Sequence, residues 1–252
     1  MNTQKFSGKG AAYAAARPSY PRELFDSLAS RGVLKPQYAV GDIGAGTGIF
    51  SGMLAEYVEK VFAVEPNGDM REQGERLFGN NRKIVFVDAS AEHTALEDGS
   101  VDVVTAAQAF HWFDPDGFKT ECGRILSPKS ERYVVLVWND RDTENDMISA
   151  NFEVNRRFCP AFKGSSNGAD IDGGVSRFFD GVFEKLTFEN GMKYNEDEFI
   201  LRNLSSSYAP KPTDTAYLPY TDALKNMFAR FEKDNAVIYP YVTKCYVGKI
   251  QR

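Results

Sequence analysis

The stretch VGDIGAGTG, Val40 to Gly48, is the feature around which the rest of this chain is organised. It is typical of a buried strand that runs into a glycine-rich turn and then into a helix. Gly44, Gly46 and Gly48 allow positive φ angles and remove the Cβ atoms that would keep a ligand away from the main chain. The following helix directs its unpaired N–H groups into the same space. The stretch therefore predicts a site for an anionic or nucleotide-like ligand at the carboxyl end of a first parallel strand.

Composition favours a globular protein that acts on a small molecule. The 252 residues are 42% hydrophobic, which suffices for a full core in one elaborated domain. The formal net charge is -5 and no Lys/Arg tract is clustered, so we expect no nucleic-acid partner. Cys122, Cys159 and Cys245 are isolated and form no CxxC pair, which favours a reducing compartment and no structural metal.

The N-terminal stretch, residues 1 to 20, looks like a mobile arm that carries Tyr13 and Arg17 among Gly, Ala and Ser residues. It begins with MNTQKFSGKG and lacks the apolar stretch of a signal peptide. No run of about eighteen apolar residues occurs anywhere, as a membrane span would need. We therefore expect a cytoplasmic protein without a membrane partner, present as a monomer or a homodimer.

After the arm, helical and strand patterns alternate along the chain. Apolar runs predict strands ending at Asp42 and Glu65, and further strands at Ile84–Val87, Val101–Ala106 and Tyr133–Trp138. Helical spacing is found at Arg22–Ser30, Met70–Phe78 and Gly117–Leu126. This alternation indicates an α/β fold with a doubly wound sheet and right-handed crossovers. Later patterns predict strands at Val182–Phe188 and Tyr241–Val247, and helices at Glu196–Leu204 and Thr221–Lys233.

Glu65 is the candidate ribose ligand. It ends the second predicted strand, lies 21 residues after Gly44 and is followed by Pro66, which stops the strand. In a βαβ unit this separation places a carboxylate beside the glycine turn, where it can accept both hydroxyls of a ribose. An acid at a solvated strand end is the alternative. By spacing alone, a dinucleotide also remains possible as the ligand.

Several motifs, taken together, resemble class I S-adenosylmethionine-dependent methyltransferases, specifically the methyltransferase type 11 group around trans-aconitate methyltransferase. They lie in the family's order over about the first half of the chain: YAAARPSYP (Tyr13 to Pro21), DIGAGTG (Asp42 to Gly48), VEPNGDM (Val64 to Met70), SAE (Ser90 to Glu92), SVDVVTAAQAFHWFD (Ser100 to Asp114) and ECGRILSP (Glu121 to Pro128). SSSYAP, Ser205 to Pro210, extends the likeness. The glycine turn combined with QAFHWF after the fourth strand is the most specific combination.

The resemblance implies a mostly parallel, seven-stranded Rossmann-like sheet with an antiparallel last strand and a helical substrate lid. It implies one methyltransferase domain over 1-252. Its parts are an N-terminal arm and helix (1-35), a cofactor-binding core (36-138) and lid insertions (139-181 and 190-236). Ile49 stands where the nicotinamide-binding fingerprint has a glycine, which argues against a dehydrogenase.

The resemblance also implies the cofactor, S-adenosyl-L-methionine, and assigns residues to it. Gly44 and Gly46 would approach the methionine part, Asp42 would position its amino group through water, and Glu65 would hold the ribose. Ser90, Ala91 and Glu92 would frame the adenine. The remaining cofactor contacts are expected from Tyr13, Arg17, Gly48, Pro66 and Gln108. Ser90 departs from the family, because many members have an aspartate there, and Asp88 and Glu92 are the neighbouring acids. Lys129 and Ser130 replace the usual glycine pair before the fifth strand.

Methyl transfer from a sulfonium is an in-line displacement that needs alignment and exclusion of water more than covalent help. Tyr13 is predicted to close over the methionine end, and Arg17 to bind a carboxylate of the cofactor or of an acidic substrate. His111, after the fourth strand, is the candidate general base for a hydroxyl acceptor, and packing beneath the cofactor is its alternative role. A carboxylate acceptor would need no base. His93 is expected at the surface.

The later segments carry aromatic residues beside Pro- and Gly-containing loops, a composition that suits a lid over a small acceptor. Tyr208 is predicted to face the pocket as a catalytic residue. Arg202 is predicted to lie on a solvated helix face unless it assists an anionic substrate. The sequence thus predicts an enzyme that methylates an oxygen of a small molecule, a carboxylate or a hydroxyl. The alternatives are an NAD-type oxidoreductase and a non-catalytic cofactor-binding protein.

Overall fold

The computed structural model describes residues 19–164 and 170–250. Tyr13 and Arg17 lie outside these ranges. In chain order the elements are α1 (Arg22–Ser30), β1 (Ala39–Ile43), α2 (Ile49–Leu54), β2 (Lys60–Val64), α3 (Gly68–Phe78), β3 (Ile84–Val87), β4 (Val103–Ala107), a 3-10 turn (Phe110–Trp112), α4 (Pro115–Ile125), β5 (Tyr133–Arg141), α5 (Asp146–Phe158), α6 (Ile171–Phe178), β6 (Phe183–Tyr194), α7 (Glu196–Leu204), α8 (Tyr217–Phe231) and β7 (Val237–Lys249).

The strands form a seven-stranded sheet in the order β3-β2-β1-β4-β5-β7-β6. Strands β1 to β5 are mutually parallel, whereas β7 runs antiparallel to both of its neighbours. The α/β fold class predicted from the sequence is therefore confirmed, including the antiparallel last strand. The strand order reverses between β1 and β4, and this is where doubly wound sheets open a crevice at the carboxyl ends of their strands.

Two apolar layers cover the sheet. On one face, the stripe Leu24, Phe25 and Leu28 of α1 is completely buried, as its helical spacing predicts. On the other face, Phe118 of α4 and Phe178 of α6 stack with their ring centroids 5.5 Å apart. Burial on both faces explains why the central strands are continuous apolar runs rather than alternating patterns.

The outer strands extend further than the sequence predicts. β5 continues to Arg141, and β6 and β7 pair along their whole lengths, from Phe183 opposite Gly248 to Tyr194 opposite Val237. The extended segments contain Asn, Gly and Pro residues, which are uncommon in strands, so the sequence does not predict the extension. Pro240 is tolerated because, beyond the Arg141–Tyr241 pair, β7 is paired with β6 alone. Residues 190–194 of the predicted lid insertion are therefore strand.

A third apolar cluster lies on this extended part of the β6–β7 pair. Helices α5, α7 and α8 supply most of it, with Ile148, Phe199 and Leu224 fully buried. We call these three helices the lid helices. Among the helices of the described ranges, none combines the length and apolarity needed to span a bilayer.

Candidate functional site

The glycine turn leaves an open space beside its backbone. Gly44, Gly46 and Gly48 have φ angles of 71°, 59° and 77°, the left-handed region that favours glycine. The N–H groups of Gly44 and Ala45 donate to the Val64 carbonyl at 2.8 and 3.0 Å, which ties the turn to β2. A Cβ at Gly44 would lie 2.5 Å from that of Ala109, whereas a Cβ at Gly46 would meet nothing within 4 Å. A ligand can therefore approach the main chain at Gly46.

Glu65 borders that space. It directly follows β2, and its Oε2 accepts from the Gly46 N–H at 2.9 Å while its Oε1 accepts from the Asn67 N–H at 2.9 Å. Burial raises the pKa of Glu65, and these two N–H groups lower it in part. A carboxylate oxygen has more than one lone pair, so both oxygens can still accept from ligand hydroxyls. This arrangement fits a ribose beside Gly46.

Asp42 lies beneath the turn and is fully buried. Its two carboxylate oxygens accept from the Ser51 hydroxyl at 2.6 Å and from the Thr105 hydroxyl at 2.9 Å. Burial raises the pKa of Asp42 to about 6, although the two hydroxyls lower it in part. The side chain thus joins β1 to α2 and β4. Its predicted contact with an amino group through water stays a prediction.

The segment after β3 holds the residues predicted to frame an adenine. Ala91 is buried, Ser90 and Pro66 are half-buried, and Ser90 pairs with His93 in an isolated bridge. The Glu92 Oε1 accepts from the Asp114 N–H at 3.0 Å, at the start of α4. Burial alone would raise the pKa of Glu92, but hydrogen bonds from backbone N–H groups lower it below its ordinary value. The neighbouring acid Asp88 is in an ion pair with Arg71. The adenine contacts stay predictions.

Gln108 stands at the tip of β4 with strained backbone. Its φ of 58° is unusual for a residue with a side chain. Two hydrogen bonds to β5 hold it there, from its N–H to the Val137 carbonyl at 2.8 Å and from its Nε2 to the Asn139 carbonyl at 3.1 Å. The strain lies at the carboxyl edge of the sheet, next to the point where the strand order reverses. Strain that is held in place at such an edge is typical of functional sites.

His111 lies in the 3-10 turn and is half-buried. The buried Trp138 donates from its Nε1 to the Nδ1 of His111, with the two nitrogens 3.4 Å apart. A neutral imidazole that accepts at Nδ1 carries its proton on Nε2. In this arrangement the ring offers a donor rather than a base, which weighs against the general-base hypothesis. His93 is exposed, as the sequence predicts.

A network of polar side chains that sequence reasoning missed holds Ser19, the first described residue. The Ser19 carbonyl accepts from Asn139 Nδ2 at 3.2 Å and from Asn190 Nδ2 at 2.8 Å, and Asn139 Oδ1 accepts from the Thr243 hydroxyl at 2.6 Å. The backbone carbonyl of Asn139 also accepts a hydrogen bond from Gln108 Nε2. The N-terminal arm thus joins the described fold at the carboxyl edge of the sheet. The sequence signal that could have revealed this network is the polar pair Asn139 and Asp140, which directly follows the fifth apolar run.

The prediction for Arg202 is wrong: the side chain is only 6% exposed. Helix α7 presents it to β7, where Nε donates to the Tyr241 hydroxyl at 2.8 Å and the guanidinium lies over the Tyr239 ring at 4.2 Å. Tyr208, a predicted catalytic residue, is half-buried, and its hydroxyl accepts from Arg141 Nη2 at 3.3 Å. The structure therefore brings Tyr208 together with Arg141, which the sequence analysis did not single out.

The region that builds this crevice matches a known family. A methyltransferase domain model matches residues 41–134. An uncharacterized methyltransferase of Mycobacterium tuberculosis is 39% identical over 140 residues, 54% of this chain and 53% of that protein. An uncharacterized methyltransferase-like protein of Schizosaccharomyces pombe is 34% identical over 143 residues, 56% of this chain and 54% of that protein. The chain spans about half the length of the curated relatives it matches.

The fold likeness reaches further along the chain than the sequence likeness. The structure of a putative type II methyltransferase from Anaeromyxobacter dehalogenans superposes with a TM-score of 0.65 at 24% sequence identity. That superposition covers 93% of this chain and 98% of the other. The glycine turn, the acid after β2 and the sheet topology are thus found together with a matched methyltransferase domain. Residues 41–134 thus match a methyltransferase domain, and most of the chain shares the fold of a methyltransferase structure.

Proposed function

We propose that this protein binds S-adenosylmethionine at the glycine turn and transfers its methyl group to a carboxylate oxygen of a small molecule. The observation that carries the cofactor site is Glu65, whose carboxylate bridges two backbone N–H groups beside the open space at Gly46. When bound there, S-adenosylmethionine supplies a methyl group already activated on a sulfonium. The match of residues 41–134 to a methyltransferase domain model supports this cofactor over the NAD-type alternative.

The cofactor contacts of this proposal follow the crevice edge. Glu65 holds the ribose hydroxyls and Pro66 packs against the ribose. Ser90, Ala91 and Glu92 flank the adenine. The turn glycines admit the methionine part, beneath which Asp42 fixes the turn through Ser51 and Thr105. Tyr13 and Arg17 complete the site from the arm, whose attachment at Ser19 lies beside Gln108 and Asn139.

The groups near the tip of β4 favour a carboxylate oxygen as the acceptor atom. A hydroxyl acceptor needs a base, but the Nδ1 of His111 already accepts from Trp138. A carboxylate is ionised at neutral pH and can attack without losing a proton. The protein then has to align the acceptor with the methyl group and exclude water. Gln108 and the aromatic side chain of Tyr208 contribute to this. These observations support a carboxylate acceptor over a hydroxyl acceptor.

Two measurements test the proposal. Calorimetric titration with S-adenosylhomocysteine, the demethylated product, and with NADH separates the cofactor classes: we expect binding of the first alone. Cell-extract small molecules are then incubated with methyl-labelled cofactor and the purified protein. A methyl ester releases its label as methanol in mild alkali, whereas an ether or a methylated amine does not. Alkali-labile label is expected, and the absence of any transferred label would favour the non-catalytic alternative.

A pair of histidine variants sharpens the acceptor question. His111→Gln should keep turnover within about threefold of the parent, because no base is needed, and it should not change the pH profile. His93→Gln, at an exposed position, is the matched control. Alkali-stable label together with a loss of about a hundredfold or more in His111→Gln alone would instead identify a hydroxyl acceptor with His111 as its base. Arg17→Ala is expected to abolish turnover if Arg17 binds a carboxylate.

A further inference from the structure

The described sheet ends in a short strand on one side and in a long strand on the other. The edge strand β3 has 4 residues, whereas β6 has 12 and pairs with β7 alone. Each β6 residue lies opposite one residue of β7, so no bulge interrupts the strand. Within residues 19–164 and 170–250, no backbone hydrogen bond from outside the sheet reaches Phe183–Tyr194. The outer edge of β6 therefore presents a row of N–H and carbonyl groups with which another strand can pair.

Edge strands usually carry features that prevent such pairing, and β6 has few of them. Short strands, prolines, bulges and charged side chains are the common protections. β6 is long and contains no proline, and none of its residues has a positive φ angle. Only its charged side chains remain: Glu184, Lys185, Glu189 and Lys193. Charges exclude a partner strand where like charges meet and favour it where opposite charges meet, so their order decides what β6 can bind.

The charges of β6 are arranged to match a second copy of the same strand. Residues 183–191 read FEKLTFENG, with Thr187 at the centre. A two-fold axis through Thr187 makes the two copies antiparallel and places residues at equal separations from Thr187 opposite each other. Lys185 then faces Glu189 of the second copy, and Glu189 faces its Lys185. Both side chains are exposed, and the two ion pairs favour this pairing.

The uncharged residues of this stretch have the same symmetry. Leu186 lies opposite Phe188 of the second copy. Both side chains are half-buried against the apolar layer beneath α1, so the pair continues that layer from one copy into the other. On the opposite face, Phe183 lies opposite Gly191, which leaves room for the ring, and an aromatic side chain beside an edge glycine stabilises a strand pair. Thr187 lies opposite itself, which is a favourable cross-strand pair.

Other registers do not fit in this way. Moving the axis by one residue in either direction leaves neither Lys185 nor Glu189 opposite a charged residue. An axis at Glu189 places Glu189 opposite itself and Lys185 opposite Lys193, so like charges meet. An axis at Gly191 pairs Glu189 with Lys193, but it aligns only residues 188–194 of β6. The axis at Thr187 aligns the longer stretch and pairs its charges.

We propose that a second copy of this chain binds along the outer edge of β6, antiparallel and with the two-fold axis at Thr187, so that the two sheets become one continuous sheet. The inference goes beyond the proposed function and does not depend on it. Val182, which is 76% exposed and directly precedes β6, lies opposite Met192 in this dimer and gains an apolar neighbour. Asn190, which donates to the Ser19 carbonyl, lies within the paired stretch. The N-terminal arm therefore joins each copy beside the interface.

The dependence of the molecular mass on concentration tests the dimer. Sedimentation velocity of the full chain is measured from about 1 to about 200 µM, and we expect a reversible equilibrium between monomer and dimer in this range. Glu189→Lys places a lysine opposite Lys185 at both ends of the pair, so it should raise the dissociation constant about tenfold or more. Lys193→Glu is the matched control, because Lys193 is an exposed charge of the same strand outside the paired stretch.

A mixture of two charge variants tests the register. Lys185→Glu alone should also be monomeric, because the new glutamate faces Glu189. When Lys185→Glu and Glu189→Lys are mixed in equal amounts, every cross-strand charge pair again joins opposite charges, and a heterodimer should form. Lys185→Glu also loses the ion pair with Asp172, so circular dichroism is used to check that each variant is folded. A general loss of structure would not be reversed by mixing.

A cysteine on the axis reports the pairing directly. Directly opposite Cα atoms of antiparallel strands are about 4.5–5.5 Å apart, which a disulfide can span. Thr187→Cys should therefore form a disulfide-linked dimer in oxidised glutathione. Lys193→Cys should not, because the two copies of this position lie about 40 Å apart along the paired strands. The native cysteines are buried and do not compete.

Three results would overturn the proposal. The first is a protein that stays monomeric over the whole concentration range. The second is a dimer that Glu189→Lys leaves intact, since its interface would then lie elsewhere. The third is a dimer that dissociates in both Glu189→Lys and Lys193→Glu while Thr187→Cys forms no disulfide, which would place the axis at Gly191 instead of Thr187.

Discussion

The glycine turn and the cluster beneath the lid helices are held together by different kinds of hydrogen bond. At the turn, most of the hydrogen bonds come from backbone N–H groups. The N–H of Gly46 donates to the Glu65 carboxylate, and the N–H groups of Gly44 and Ala45 donate to the Val64 carbonyl. Beneath the lid helices, hydrogen bonds between side chains hold the structure together. The Asn151 amide donates to Asn203 and accepts from the Tyr239 hydroxyl, and both partners lie far from Asn151 along the chain.

Because of this difference, substitutions in the two regions should affect different properties, ligand binding in one and stability in the other. A backbone site tolerates changes in the surrounding side chains, but it fails when one residue cannot adopt the required φ angle. A buried side-chain network fails when one member is removed, because its partners are left unsatisfied. Substitutions at the turn should therefore affect ligand binding first, and substitutions beneath the lid should affect folding first.

The largest effect is expected from Gly46→Val. A β-branched residue is strained at the φ of 59°, and its side chain would enter the space in which the cofactor is proposed to lie. We expect the affinity for S-adenosylhomocysteine to fall by about a hundredfold or more, with the far-UV circular dichroism spectrum unchanged. Gly123→Ala is the control, because its Cβ also meets nothing within 4 Å but it lies within helix α4. Unchanged affinity in Gly46→Val would remove the turn from the site.

Asn151→Leu should lower stability and leave cofactor binding unchanged. Asn151 is fully buried, and the substitution leaves the Tyr239 hydroxyl and the Asn203 amide without this partner. We expect the free energy of unfolding to fall by about 3 kcal/mol, measured by urea denaturation. Glu153→Ala, at an exposed position on the same helix, is the control. Affinity for S-adenosylhomocysteine should be retained where the variant is folded, and loss of affinity without loss of stability would contradict the separation.

Asp42 joins the turn to the core and should make stability depend on pH. Its pKa is raised from 3.8 to about 6 in the folded protein, so between these values the folded state holds a proton that the unfolded state has lost. The resulting stabilisation is present at low pH and is lost as the pH rises through 6. Relative to Asp42→Asn, the parent should lose about 2.4 kcal/mol between pH 4 and pH 7.

Urea denaturation of both proteins at several pH values measures this difference. A constant difference across the range would show that Asp42 does not titrate as inferred. A parent that gains stability relative to Asp42→Asn as the pH rises would reverse the sign of the argument.

The smallest effect is expected outside both regions, at the ion pair between Arg31 and Glu184. Arg31 Nη1 lies 2.7 Å from Glu184 Oε1, and the two side chains are 40% and 53% exposed. Because solvent and salt screen such a pair, Glu184→Gln should lower the free energy of unfolding by about 0.5 kcal/mol or less. Denaturation at low and high salt checks this. A loss comparable to that of Asn151→Leu would mean that the edge strand β6 matters more than its exposure suggests.

The cofactor half was largely predictable because its signals are local. A glycine spacing, an acid at a strand end and alternating apolar runs each need only a short window of sequence, and α1 and β3 were placed at their observed bounds. The lid half was not predictable in the same way. Arg202 was assigned to a solvated helix face because helical spacing does not reveal what packs above a helix. Arg141 was missed because a strand was expected to end before it.

The sequence by itself determined the fold class, the position of Glu65 at the end of the second strand and the likeness to a methyltransferase domain, since these depend on residue types at fixed separations along the chain. Only the tertiary structure showed that Trp138 donates to Nδ1 of His111, and that Arg141 donates to the Tyr208 hydroxyl. Those pairs are separated by 27 to 67 residues along the chain. The physical reason is that burial and charge partners are properties of packed surfaces, which no local pattern records.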